Sequence, residues 1–311
     1  MAQILSFSHA VLPENGEDCF GLVRKETFTA ACIADGCGGL GSRRYPALGN
    51  HTGAYAASRL AVQVFEKWGE NHETPSAEAC IKQLEEQLEQ AFGTAANEKC
   101  VAEGIRIVGS MQRRLPTTFC AALTDPNEVS FLWAGDSRGY VLDAEGLHQC
   151  TADHLKGKAD PFENLYLDRP LSRYLSADTA MNLDISRVKL SKQPCAVILA
   201  TDGVYGALPT PMEMEMLLWD TLKGASDWNG WNQKLKKAVA HNAQDDATLV
   251  VIPCGTDDFA VFTQALLPRR DALQKHFITP VRRKKGDVDF ARERWQSYRK
   301  NYDWTEGERN G

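Results

Sequence analysis

Apolar and polar positions along this chain fall into blocks that switch between the two-residue period of strands and the three-to-four-residue period of helices. β-Branched and aromatic runs bounded by polar turns predict strands at 3–11, 18–25 and 28–34. Two helices follow. Over 52–68, Ala54, Ala57, Ala61, Phe65 and Trp68 recur at helical spacing, and over 75–103, Ile81, Leu84, Leu88, Phe92 and Ala95 do the same. Thr74 serves as the expected cap of the second, with Pro75 at its first position. Further strands are predicted at 116–124, 128–134, 138–143 and 194–201. A helix is expected to start at Thr210-Pro211-Met212-Glu213, a capping-box pattern, and another over 228–242 to bury Trp228, Trp231, Leu235 and Val239. The strand Ala247–Ile252 closes the body. Short turns dominate between the strands, so this order predicts a layered α+β fold with mainly antiparallel sheets.

After Gly255 the character changes, which divides the chain into a body over 1–255 and a basic, aromatic, helical extension over 256–311. Phe290, Trp295, Tyr298 and Tyr302 fit one helix face. That face either docks on the body or meets a protein partner or nucleic acid. The extension has 12 Lys and Arg against 9 Asp and Glu, whereas the body has 23 against 32. An acidic body argues against nucleic acid as the main partner, outside the tail, and is compatible with cation binding.

Other features narrow the class. With 43% hydrophobic and 24% charged residues, the composition excludes wholesale disorder. Apolar runs such as 195–200 (CAVILA) fall far short of the ~20 residues of a membrane span, so no membrane partner is expected. The N-terminus lacks the basic region of a signal peptide. Nine cysteines without a CxxC pair read as free thiols in a reducing cytoplasm.

The informative pattern is where the carboxylates sit. Asp35, Asp136 and Asp202 each end an apolar strand, while Glu17-Asp18 and Asp245-Asp246 each open one. Any one of these is ordinary turn composition. Gathered at one edge, they would repel one another and force protonation of some. Hard Mg2+ or Mn2+ removes that conflict by taking oxygen ligands, and two such ions can drive phosphoryl transfer. Gly36, Gly38 and Gly39 allow close backbone approach, and the Gly36 carbonyl is itself a candidate ligand.

In this order the motifs resemble the type 2C (PPM) metal-dependent serine/threonine protein phosphatases: Glu17-Asp18, Asp35-Gly36-Cys37-Gly38-Gly39, Thr117-Thr118, Gly135-Asp136-Ser137-Arg138, Thr151-Ala152-Asp153-His154, Thr201-Asp202-Gly203 and Asp245-Asp246-Ala247-Thr248. The resemblance covers about residues 5–253. It implies a four-layer α/β/β/α sandwich of two mainly antiparallel β-sheets flanked by helices, with metals at one end. By position, Asp35 would bridge two ions. Asp202 and Asp245 would hold one ion, and Glu17 and the Gly36 carbonyl the other. Asp18 would hold metal-bound water, and Asp136 with Asp202 would form a weaker third site. The implied reaction is attack of a hydroxide bridging two Mg2+ or Mn2+ ions on a phosphoserine or phosphothreonine ester. The implied partners are a phosphorylated protein substrate and a cognate Ser/Thr kinase.

Two positions depart from the family pattern. Pro13 stands where an arginine often grips the substrate phosphate, so Arg43 and Arg44 are the expected stand-ins, with Arg138 behind them. Cys37 stands where many relatives carry a histidine. The segment between His154 and Pro194 replaces the family's mobile flap, and its charged stretch 155–169 either contacts substrate protein or simply connects. Two rival functions remain on sequence alone. Cys37 to Arg43 satisfies C-x5-R, the phosphate loop of cysteine-dependent phosphatases. A catalytically degenerate regulatory or scaffold module is the other, disfavoured because Asp35, Asp202 and Asp245 are all retained.

Overall fold

Runs such as Thr29–Ala34 and Cys195–Ala200 are apolar at nearly every position because both faces of their strands are covered. In the computed structural model, which describes residues 3–73, 75–100, 113–157, 160–167, 169–191 and 193–303, the body starts with β1 (Leu5–His9), β2 (Cys19–Arg24) and β3 (Thr29–Ala34). A short α1 (Gly38–Gly41) and a small hairpin of β4 (Arg44–Tyr45) and β5 (His51–Thr52) lead into α2 (Gly53–Glu70) and α3 (Glu78–Lys99). Next come β6 (Phe119–Thr124), β7 (Glu128–Ala134), β8 (Arg138–Asp143), β9 (Gly146–Gln149), β10 (Asp184–Lys189) and β11 (Cys195–Ala200). The body ends with α4 (Asp202–Tyr205), α5 (Pro211–Lys223), α6 (Trp228–Asn242) and β12 (Ala247–Cys254). Beyond it lie α7 (Phe259–Leu266), α8 (Pro268–Leu273), α9 (Thr279–Arg283) and α10 (Val288–Tyr302).

The large strands form two five-stranded antiparallel sheets, ordered β1-β12-β11-β8-β9 and β10-β7-β6-β3-β2. Ala31 and Ile33 of β3 meet Val197 and Leu199 of β11 between the sheets. On the outer faces, Ala30, Cys32 and Ala34 pack on α2 and α3, while Ala196, Ile198 and Ala200 pack on α5 and α6. The result is the α/β/β/α sandwich expected.

Several elements differ from expectation. α3 begins at Glu78 after Ala77, and Pro75 lies in a turn before it; the expected cap Thr74 is outside the described residues. Thr210 does precede α5, but no capping box forms: Arg282 claims the Glu213 carboxylate with Nε at 3.0 Å and Nη2 at 2.6 Å, leaving Thr210 Oγ1 buried without a partner. The edge strands β9 and β10 were not foreseen.

The extension packs on the outer face of the β1-β12-β11-β8-β9 sheet. Trp295, Tyr298 and Tyr302 are buried in one cluster with Tyr140, Leu147 and Met216, whereas Phe290 is only half-buried. Buried Glu215 of α5 fastens it, accepting from Trp219 Nε1 (2.9 Å), Arg269 Nε (3.0 Å) and the Tyr298 hydroxyl.

Candidate active site

Antiparallel pairing fixes where the acidic residues go. β3 and β7 both pair with β6, so both run the same way and deliver Asp35 and Asp136 to one end of their sheet. β2 runs against β3 and starts at that end, just after Glu17 and Asp18. In the other sheet β11 ends there with Asp202, and β12 starts there after Asp245 and Asp246. Elements far apart in sequence thus place their polar ends together.

Hydroxyls set the backbone around these groups. Thr117 Oγ1 donates to the Asp35 carbonyl at 2.8 Å, and the Asp35 amide donates to Thr118 Oγ1 at 3.1 Å. Thr201 Oγ1 donates to Asp18 Oδ2 at 2.9 Å. The Thr52 hydroxyl donates to Glu17 Oε1, and the Glu17 amide donates to Asp246 Oδ2 at 2.6 Å. Asp246 also accepts from the Val11 amide at 2.9 Å, so it ties strands together, whereas Asp245 is exposed. His154 is a strut as well: it accepts from the Gly135 amide at 3.1 Å and lies 3.0 Å from Asp184.

The carboxyls raise one another's proton affinity. Desolvation and then the charges of Asp18 and Asp202 push Asp35 well above the usual range. Asp18 is raised to about 7, mainly by burial and against the Thr248 and Thr201 hydrogen bonds. Asp136 is raised to about 8 by burial, then by Asp202 and Asp153, with Arg138 opposing. Burial and Asp245 raise Asp202, while a hydrogen bond from the Asp35 carboxyl opposes them. Glu17 is raised by burial, with Asp246 and Asp245 adding and Thr52 and Arg44 opposing.

Hard cations suit this donor set. All side-chain donors are oxygens, and Asp18 Oδ1 and Asp202 Oδ1 are buried with no hydrogen-bond partner. Glycines keep the cradle open: a Cβ on Gly38 would come within 2.4 Å of Glu17 Oε2, and one on Gly36 within 2.5 Å of the Ala54 carbonyl oxygen, though Gly39 has nothing near it. Among the described residues no three His, Cys, Asp or Glu side chains form a finished cage. Mg2+ or Mn2+ sites draw part of their shell from water and carbonyls.

The cationic residues separate. Arg44 is near enough to Glu17 to lower it and also donates to the Asn50 carbonyl at 2.9 Å. Arg43 instead lies over the Tyr45 ring, 5.5 Å from its centroid. Arg138 is committed elsewhere, to Asp153. Sequence reasoning overlooked Arg169. It lines a 320 Å³ cavity together with Asp136 and Asp202, its Nε is buried without a partner, and Nη1 donates to the Lys156 carbonyl at 3.2 Å. Gly157, at φ +102, makes this possible, since a Cβ there would sit 2.2 Å from Arg169 Nη1. The available signal was an arginine just before Pro170-Leu171-Ser172, at the end of the flap. A larger cavity of 870 Å³, between α5, α6 and α10, holds none of these acidic groups.

The loop after Cys37 is not a thiolate phosphate cradle. The Cys37 amide donates to the Pro116 carbonyl, and the Leu40 and Gly41 amides donate back to the Cys37 carbonyl, so they do not encircle the sulfur. Burial and then Asp136, Asp202 and Glu17 push the thiol pKa up, the reverse of what a nucleophilic cysteine needs.

No curated protein matches the sequence. Solved structures do match the fold. The serine/threonine phosphatase Stp1 from Staphylococcus aureus aligns at 18% identity over 81% of this chain and 94% of its own, with a TM-score of 0.61. PstP/Ppp of Mycobacterium tuberculosis aligns at 17% over 80% and 97%, TM-score 0.58, and MsPP of Mycobacterium smegmatis at 16% over 81% and 98%, TM-score 0.57. Within the described residues, no helix is long and apolar enough to cross a membrane. The sequence model of protein phosphatase 2C matches residues 8–240, the stretch that supplies the acidic strand ends of this sandwich up to Asp202, and the chain therefore belongs to the protein phosphatase 2C family.

Proposed function

We propose that this chain is a metal-dependent phosphoprotein phosphatase that hydrolyses phosphoserine and phosphothreonine esters. One observation carries most of the weight: Asp18 Oδ1 and Asp202 Oδ1 are buried without partners beside Asp35, in a group of carboxyls that raise one another's pKa. Two Mg2+ or Mn2+ ions would be held by Asp35, by Asp202 with Asp245, and by Glu17 with the Gly36 carbonyl. Asp136 with Asp202 would take a weaker third. Such ions, when bound, neutralise the carboxylates, polarise the phosphoryl group and make water more acidic.

The protein's own groups bind, orient and move protons. Thr201 holds Asp18 Oδ2, which leaves Oδ1 to orient the attacking water and accept its proton. Arg169 offers a guanidinium fork toward the cavity for the substrate phosphate, with Arg44 on the Glu17 side; an Arg fork suits a phosphate dianion. Alignment of the ester in this cavity supplies the orientational part of the rate. The partner is a phosphorylated protein, made by a Ser/Thr kinase acting on the same target. Nine free cysteines favour a reducing, cytoplasmic setting.

The deciding experiment is hydrolysis of para-nitrophenyl phosphate and a phosphothreonine peptide, with Mn2+ and with EDTA, by wild type and Asp35→Asn. Turnover that needs Mn2+ and disappears in the variant is the expected result. Wild type that is inert in Mn2+, or equally active in EDTA, would overturn the proposal and return the regulatory-module reading.

A further inference from the structure

The flap lines the cavity that holds Asp136 and Asp202, contributing Asn164, Tyr166 and Arg169 among others. Among the described residues of its stretch 155–169, regular structure amounts to one turn at Glu163–Leu165. A segment with so little of its own must be held from outside, and α10 of the extension does this. Asp160 Oδ1 accepts from Trp295 Nε1 at 3.1 Å and from the amides of Phe162 (3.0 Å) and Glu163 (3.3 Å). Its other oxygen accepts from Arg299 Nη1 at 2.8 Å. Phe162 is fully buried with its ring stacked 6.4 Å from that of Trp295, and Arg292 pairs with Glu163 at 2.6 Å.

The same turn faces the chemistry at its other end. Asn164 Nδ2 donates to Asp153 Oδ2 at 2.9 Å, and Asp153 pairs with Arg138. Asp160 is thus a joint, with the extension on one side and a cavity-lining side chain four residues along on the other. The brace lies beyond residue 240, where the family match ends, so it belongs to this chain's own extension.

We propose that α10 braces the flap, and that Trp295 and Arg299 are positioning residues for substrate binding that act through Asp160. The role in binding rests on the phosphatase reading; the brace itself does not. Without it the flap samples more conformations, and the substrate must order Asn164 and Arg169 as it binds. That lost order weakens ground-state and transition-state binding alike, so KM rises while kcat holds.

Three variants test this in the full-length protein: Arg299→Gln and Asp160→Asn, which break the brace, and Asp303→Asn, which breaks only the Arg299–Asp303 pair (2.6 Å). Amide exchange read by mass spectrometry is expected to rise about tenfold across residues 160–167 in the first two and to stay near wild type in the third. With para-nitrophenyl phosphate and Mn2+, the first two should raise KM about fivefold and change kcat less than about twofold. Unchanged flap exchange in both Arg299→Gln and Asp160→Asn would overturn the brace. Raised exchange with KM unaltered, or with kcat falling instead, would overturn the positioning role. An inactive wild type would instead fault the phosphatase reading, while the exchange data still judged the brace.

Discussion

Arg138 holds Asp153 through two parallel hydrogen bonds, Nε to Oδ1 at 2.8 Å and Nη2 to Oδ2 at 2.6 Å, with both side chains 2% exposed. The guanidinium also lies 3.7 Å from the Tyr205 ring centroid, and the Tyr205 hydroxyl donates to the Asp136 carbonyl at 2.8 Å. This assembly is a strut beneath Asp136, so Arg138 has no free fork for a phosphate. Removing one partner leaves a buried charge uncompensated, a loss of about 3–5 kcal/mol. Arg138→Ala should therefore lower the unfolding free energy read from urea titration by that amount. Arg138→Lys should recover little, because an ammonium cannot reproduce the two parallel bonds. An unfolding free energy within ~1 kcal/mol of wild type in Arg138→Ala would show the pair to be dispensable.

The acidic end should bind cations through particular residues. Desolvation raises both Asp35 and Asp202; Asp35 is raised further by Asp18, Asp202 and Asp136, and Asp202 interacts with both Asp35 and Asp245, while Asp245 is exposed at the rim of the group. Asp35→Asn and Asp202→Asn are expected to weaken Mn2+ binding about 100-fold or more in calorimetry, and Asp245→Asn by about tenfold, given that even groups behind metal ligands are worth 10–100-fold. Equal effects at all three positions would contradict the central placement of Asp35 and Asp202.

Protons compete with those cations, and the sign follows from the raised pKa values. Asp18 at about 7 and Asp136 at about 8 stand above the ~3.9 of an unfolded aspartate. The folded chain therefore holds protons that the unfolded chain has released. The stability these groups contribute is fully present below about pH 4 and is lost as pH climbs through 7 to 8. In EDTA the melting temperature should fall between pH 6 and 8.5. Mn2+ replaces the protons, so its stabilising shift should be larger at pH 8.5 than at pH 6. A shift that is equal at both values would mean that these carboxyls do not face the ion.

Much of the sandwich was legible because fully covered strands leave an unmistakable mark: CAVILA and TAACIA cannot be solvent-facing on either side. The acidic strand ends were legible for a related reason, since antiparallel order sends Asp35 and Asp136 to one end of their sheet; that Asp202 of the other sheet meets them there follows from how the two sheets pack. β10 escaped notice because DISRVK is an edge strand with only Ser186 and Val188 buried, and a half-exposed strand rich in charge resembles a loop. Glu213 escaped because its partner, Arg282, lies in the extension; a local capping rule cannot see a distant guanidinium. Arg169 was missed for the same reason. Its neighbours in sequence are ordinary loop residues, and its importance arises only when the flap folds over Asp136 and Asp202.

On the proposed phosphatase function, three arginines are candidates for gripping the substrate phosphate, and geometry ranks them. Arg169 shares a cavity with Asp136 and Asp202 and keeps Nε unpartnered. Arg44 is exposed and partly engaged by Asn50, yet close enough to lower the Glu17 pKa. Arg43 rests over Tyr45 and acts electrostatically on Tyr45 and Cys100. A charged fork on a phosphate dianion contributes roughly 1.5–3 kcal/mol, or about 10–100-fold in binding. Arg169→Ala is accordingly expected to raise KM for para-nitrophenyl phosphate by about that factor, Arg44→Ala by only a few-fold, and Arg43→Ala hardly at all. Steady-state kinetics in saturating Mn2+ separates the three, and inorganic phosphate as a competitive inhibitor provides a second measure, since it should weaken in the same order. If Arg43→Ala proved the most damaging, the flap would have to lie elsewhere during turnover, and the glycine loop would be the true phosphate seat.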